Sequence, residues 1–143
     1  MQWEKPVDGS VTGEGKTLLL AEDDDQVRAL TVRVLERAGY KVLVTCDGED
    51  AVEMLRTRGQ EISLAVLDVV MPRMDGTTVY QYIRDQGLPI PVVFCTGYSA
   101  RALDGIDLTT DAVTVITKPF QPTVLVRTIR KMIARAEGDG VEA

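Results

Sequence analysis

Residues Ile62 to Gly76 read ISLAVLDVVMPRMDG, and the fold follows from this stretch. Ile62 to Leu67 form an almost continuous apolar run, the pattern of a strand covered on both faces, and the run ends on the carboxylate Asp68. Met71, Pro72, Met74, Asp75 and Gly76 mark a loop, with Asp75 and Gly76 read as a turn and helix cap to which no chemistry attaches. Thr77 to Gln86 then has the period of a helix, stopped by Gly87.

The same unit recurs on either side. Upstream, Thr17 to Ala21 (TLLLA) is a short strand running into the acidic cluster Glu22, Asp23, Asp24 and Asp25. Val27, Leu30, Val34, Leu35 and Ala38 follow at helical spacing, and Gly39 ends that helix where a left-handed cap is easily formed. Tyr40 to Thr45 is the next β-type run, after which Asp47 caps a helix over 48–58 that Gly59 closes. Downstream, Pro91 to Cys95 is a fourth strand ending at Thr96, followed by Gly97 and a short, weakly patterned helix near Ser99 to Leu103. Ala112 to Thr117 is the fifth strand, ending at Lys118, Pro119 and Phe120. Val124, Leu125, Thr128, Ile129, Met132 and Ile133 mark a last amphipathic helix.

Five strands alternating with five helices predict an α/β fold with a mostly parallel sheet and helices on both faces. The first, third and fourth strands are nearly all apolar, as central strands should be. The second carries Lys41 and the fifth alternates Val113, Thr114 and Val115, so both belong at edges. The doubly wound order 2-1-3-4-5 satisfies these constraints and puts a crevice at the carboxyl ends of the first and third strands. One domain over 17–136 is expected, between a Gly-rich linker or tail at 1–16 and a polar tail at 137–143.

Composition narrows the function. The 143 residues carry 16 Lys and Arg against 22 Asp and Glu, a net charge of -6 that repels phosphate backbones and anionic lipid. Neither nucleic-acid binding nor membrane contact by this segment is expected; a salt-dependent shift of duplex DNA in a gel would count against the former. Histidine is absent, which removes the usual general base, imidazole metal ligands and Ser-His or Cys-His pairs. Cys46 and Cys95 lie in apolar runs without metal-type spacing and read as small buried hydrophobes of a reducing compartment. No stretch approaches the roughly 20 apolar residues of a membrane span, and the N-terminus lacks the apolar core of a signal peptide, so a cytoplasmic location is expected.

Glu22 and Asp23, Asp68, Thr96 and Lys118 each fall at the carboxyl end of a strand, and in this topology those ends converge on one crevice. Three carboxylates in one place repel one another unless a cation neutralises them or protons are taken up. Hard oxygen donors without imidazole or thiolate select Mg²⁺, which would make a carboxylate a workable nucleophile toward phosphorus. Central Asp68 is the expected acceptor, with Lys118 as a point charge and the Thr96 hydroxyl as a donor to phosphoryl oxygens. Taken singly, each residue has a plainer reading as a helix start, loop cap or strand end. Their convergence favours chemistry, with Asp24 and Asp25 keeping the helix-start role.

The runs LLLAEDD (Leu18 to Asp24), LDVVMPRMDG (Leu67 to Gly76), CTG (Cys95 to Gly97) and TKPF (Thr117 to Phe120) resemble, in order and spacing, the receiver domain of bacterial two-component response regulators. The resemblance covers about residues 17 to 135. It implies a flavodoxin-like three-layer sandwich, a Mg²⁺ pocket from Glu22, Asp23, Asp68 and the backbone carbonyl of Val70, and Asp68 as phosphoacceptor. Thr96 would be the switch hydroxyl and Lys118 the phosphate-binding lysine before a cis Pro119. The donor would be a phosphohistidine on a partner histidine kinase or phosphotransfer domain. The family usually carries an aromatic residue three before the lysine; Val115 here is too short to report the switch by the same rotation. The wording CTGY (Cys95 to Tyr98) with a non-aromatic fifth strand is most similar to receivers at the C-terminus of hybrid sensor histidine kinases.

A phosphorylation-switched signalling module is thus the favoured reading, a self-phosphorylating switch rather than a turnover enzyme, whose parent chain could itself be a histidine kinase. A stand-alone single-domain regulator is an alternative setting. A Mg²⁺-dependent phosphotransferase or phosphatase with an aspartyl intermediate would want a second carboxylate two residues after the nucleophile, where this chain has Val70. A nucleotide-binding module would want a phosphate loop where Glu22 to Asp25 stand. Val70 and Tyr98 also replace polar side chains that could position hydrolytic water, which predicts a phosphorylated lifetime of minutes or longer.

Overall fold

The computed structural model describes residues 15–97 and 103–138. In chain order they form β1 (Thr17–Ala21), α1 (Asp25–Arg37), β2 (Lys41–Thr45), α2 (Gly48–Arg58), a 3-10 turn (Gly59–Glu61), β3 (Ile62–Asp68), α3 (Gly76–Asp85), β4 (Val92–Thr96), β5 (Val113–Thr117) and α4 (Pro122–Ala136). The sheet is wholly parallel, in the order β2-β1-β3-β4-β5. The two strands predicted at the edges are at the edges.

Alternation along the central strands feeds two separate cores. Leu19 and Ala21 of β1, Ala65 and Leu67 of β3, and Val92 and Phe94 of β4 pack with Ala51 and Leu55 of α2 and Val79, Tyr80 and Ile83 of α3. Leu18 and Leu20, Leu64 and Val66, and Val93 and Cys95 turn the other way, against Leu35 of α1 and Leu125, Ile129, Met132 and Ile133 of α4. These near-continuous apolar runs therefore split into two alternating sets, one for each helical layer.

Several boundaries and contacts differ from the expectations. Asp68 and Thr96 close their strands, as expected, so both backbones are fixed by the sheet, but β4 starts at Val92 rather than Pro91 and β5 at Val113 rather than Ala112. On α1 the buried line runs through Thr31 and Leu35 and on to Ala38, while Leu30 faces solvent. Thr31 can lie buried because its hydroxyl donates to the Val27 carbonyl at 2.7 Å. Gly59 keeps right-handed backbone and opens the 3-10 turn, whereas Gly39 and Gly87 take the left-handed conformation expected of helix stops. Cys46 is exposed, contrary to its reading as a core residue. It follows buried Thr45 just past the end of an edge strand, where the pleat turns it outward. Cys95 is buried in the central sheet, and burial pushes its thiol up to about 12.

The helix predicted near Ser99 to Leu103 lies almost wholly outside the described residues, as do Tyr98 and most of both expected tails. Gly15 and Lys16, assigned to the N-terminal tail, are paired to the fold: Gly15 N-H donates to the Gly39 carbonyl at 3.0 Å and Lys16 Nζ meets Glu137 Oε2 at 2.8 Å.

Candidate functional site

The first strand carries two carboxylates directly beyond its end. The Glu22 N-H donates to the Thr45 carbonyl at 3.2 Å, continuing the β1–β2 pairing one residue further and fixing Glu22 at the rim of the sheet. Its side chain is only 4% exposed, and Oε2 accepts the Asp24 N-H at 3.1 Å. Asp24 caps α1 by accepting from Gln26 and Val27, both at 3.0 Å, which is the helix-start role expected of it. Asp23 is exposed between them. Arg28 holds the whole turn: its guanidinium donates to the carbonyls of Glu22 at 3.0 Å and Asp23 at 3.3 Å, and pairs with Asp25 at 2.6 Å. The sequence reading missed Arg28, although its place three residues after Asp25 on a helix was a usable signal.

Asp68 enters from the centre. It pairs with Cys95 in the β3–β4 register, and its side chain is 7% exposed. Gly76 lies so close behind it that a Cβ there would sit 2.2 Å from the Asp68 carbonyl oxygen, which is why the first residue of α3 is glycine. Asp75 caps that helix through the Thr78 N-H, as predicted.

Lys118 comes from the far side. Its N-H donates to the Thr96 carbonyl at 2.9 Å, extending the β4–β5 ladder, and the Lys118–Pro119 bond is cis. Nζ reaches Glu22 Oε1 at 2.7 Å and Asp68 Oδ2 at 3.3 Å. Thr96, buried at the end of β4, stands beside this lysine in the sheet. The Val70 side chain is turned toward solvent, leaving only its backbone for any inward role. Val115 is partly buried against the core shared by α2 and α3.

One carboxylate oxygen from each of Glu22, Asp23 and Asp68 lies within 4.8 Å of the others. The electrostatics follow. Burial raises the Asp68 carboxyl, the charge of Glu22 raises it further, and Lys118 only partly opposes them, leaving it at about 7. Burial acts to lower the Lys118 ammonium, but Glu22 and Asp68 outweigh it and its pKa is raised, so the lysine is charged at neutral pH. One ammonium among three carboxylates leaves two negative charges uncompensated once all are ionised. A divalent cation with oxygen preference fits that deficit and this all-oxygen donor set.

A second acidic group, Cys46, Asp47 and Asp50, is also within 4.8 Å. Asp47 there is already committed, capping α2 through the Asp50 N-H at 2.9 Å and pairing with Arg73. Among the described residues, then, Glu22, Asp23, Asp68, Thr96 and Lys118 are brought to one crevice from four strands.

A family model described as the response regulator receiver domain matches residues 18–130. The chain is 38% identical over 122 residues to the response regulator receiver protein CpdR of Brucella abortus (strain 2308), covering 85% of this chain and 99% of that protein. It is 35% identical over 136 residues to the sensor kinase CckA of the same organism, covering 94% of this chain but only 14% of that much longer protein. A crystal structure of the receiver domain from the hybrid histidine kinase CckA superposes with a TM-score of 0.69 at 31% identity, covering 82% of this chain and 98% of that one.

Proposed function

The chain belongs to the response regulator receiver domain family of two-component signalling, and we propose that in it Asp68 accepts a phosphoryl group from a partner's phosphohistidine in a Mg²⁺-dependent step. The observation that carries this reading is Asp68, buried at the end of the central strand, with Lys118 Nζ at 3.3 Å and two further carboxylates around it. Glu22, Asp23 and Asp68, with the Val70 carbonyl, would hold the ion, which supplies charge neutralisation for the approaching phosphoryl group. A carboxylate oxygen of Asp68 attacks phosphorus and the P–N bond to the donor ring breaks; the ring, protonated on its other nitrogen, takes the electron pair and leaves as neutral imidazole. Lys118 then exchanges part of its pairing with Asp68 for a phosphoryl oxygen, and the Thr96 hydroxyl donates to another. The donor is a histidine kinase or a histidine phosphotransfer domain, which agrees with the absence of histidine from this chain.

Phosphorylation then biases two pre-existing conformations and changes affinity for a partner. Val115 in place of an aromatic residue means that this bias travels by a route other than rotation of a ring on β5. The functional unit is taken as residues 17–136. No described helix is long and apolar enough to cross a membrane, and a cytoplasmic setting within a phosphorelay, as the receiver of a hybrid kinase, is the favoured context.

Beryllofluoride, a phosphoryl mimic, tests the site directly. In the presence of Mg²⁺ it is expected to shift the amide resonances around Asp68, Thr96 and Lys118 in the wild type and to leave Asp68→Asn unchanged. Equal shifts in the two proteins would mean that the acceptor lies elsewhere.

A further inference from the structure

The loop of residues 69–75, between the strand that ends in Asp68 and the helix that Asp75 caps, is keyed to a third element. Its two ends close on each other through the Gly76 N-H and the Val69 carbonyl at 2.8 Å. Its middle instead sits on the start of α2. A Cβ at Gly48 would lie 1.9 Å from the Met74 carbonyl oxygen, so the loop backbone rests directly on the first helical residue. The residue before Met74 supplies a second attachment, because Arg73 pairs with Asp47 and its Nε meets Glu49 Oε1 at 3.2 Å.

Arg73 makes these contacts from an unfavourable backbone. Its φ of 66° is in the left-handed region, which arginine seldom adopts and glycine occupies without cost. Its side chain is 58% exposed, so packing does not account for it. Asp47, by contrast, is buried and fixed in orientation by capping α2. A strained, mostly solvated arginine whose head group is held by a fixed carboxylate has its side chain as its purpose.

We propose that Arg73 is a positioning residue: by pairing with Asp47 and Glu49 at the start of α2 it holds the loop 69–75, and with it the Val70 carbonyl, in register with the carboxylates Glu22, Asp23 and Asp68 for a divalent cation. The inference rests on the reading of that pocket as a Mg²⁺ site, and it adds α2 to the elements that determine how tightly the ion is held.

Calorimetric titration of the full chain with Mg²⁺, alongside melting in EDTA, separates positioning from simple support. Arg73→Gly removes the ion pairs while relieving the left-handed backbone, so its melting temperature without metal should equal or exceed that of the wild type. Its Mg²⁺ dissociation constant should nonetheless rise by about fivefold, the size of effect expected of a residue acting through a loop. Asp47→Asn keeps a capping oxygen but loses the charge, and should weaken Mg²⁺ binding similarly. The double variant should be no weaker than Arg73→Gly, since that variant already removes the pair with Asp47. Wild-type Mg²⁺ affinity in Arg73→Gly and Asp47→Asn would overturn the proposal, as would affinity and metal-free stability falling together. A wild type that does not bind Mg²⁺ would overturn the pocket reading itself and this inference with it.

Discussion

Asp68 stands among like charges that a proton or a bound cation can offset. Its carboxyl is raised to about 7 from the ordinary 3.8, by burial first and by the charge of Glu22 second. An acid raised in the folded protein keeps a proton that the unfolded chain has already lost. Its contribution to stability is therefore complete below about pH 4 and disappears as pH rises through 7. In EDTA, Asp68→Asn should consequently melt higher than the wild type at pH 8, by about 5 °C for one to two kcal/mol in a domain of this size, with the gap closing toward pH 4. Melting curves at the two pH values check this, and a variant that melts lower at pH 8 would contradict it. Lys118 does not remove the effect, because it is shared with Glu22 at 2.7 Å and lies further from Asp68. The convergence of Glu22, Asp23, Asp68, Thr96 and Lys118 on one crevice was legible in the sequence, since each stands at or next to the residue where an apolar run stops. Arg73 was not, because what it does depends on a helix cap brought near by the fold; Arg28 left only its spacing from Asp25 as a signal, since the carbonyls it holds are gathered by the turn.

Elements here are set by what their first residues touch. Gly48 and Gly76 open α2 and α3, and each lies against a backbone carbonyl, of Met74 and Asp68 respectively, too closely for any side chain. Gly76→Ala should destabilise the protein by at least about 2 kcal/mol, the cost of forcing a methyl group into filled space, although alanine is the better helix former. Urea unfolding measures this, and an unchanged or raised midpoint would show that α3 can shift away without penalty. The sequence reading gave Gly76 only a turn-and-cap role, since close approach between segments leaves no local trace. Period alone also misplaced Leu30, because a helix facing a sheet buries a narrower line than its apolar residues suggest. Cys46 was misread for a related reason: an apolar neighbourhood in sequence continued one residue beyond the edge strand that would have covered it.

At the scale of the whole molecule, the strand order was the most legible feature, because burial on both faces and burial on one leave different compositions. Uninterrupted apolar runs marked β1, β3 and β4 as central, while Lys41 and Thr114 marked β2 and β5 as edges. That order alone collects four strand ends at one crevice, so fold and candidate site became readable together. Which helix layer covers which face was not readable, since the central runs are apolar on both sides and only the structure separates their two cores. The central claim is that the crevice is a Mg²⁺-dependent acceptor at Asp68. The measurement that tests it most directly is intact mass after incubation with acetyl phosphate, with and without Mg²⁺, for the wild type and Asp68→Asn. One added phosphoryl group is expected on the wild type only when Mg²⁺ is present, with none on the variant and loss of the adduct over minutes or longer. No adduct on the wild type, or an equal adduct on Asp68→Asn, would contradict it.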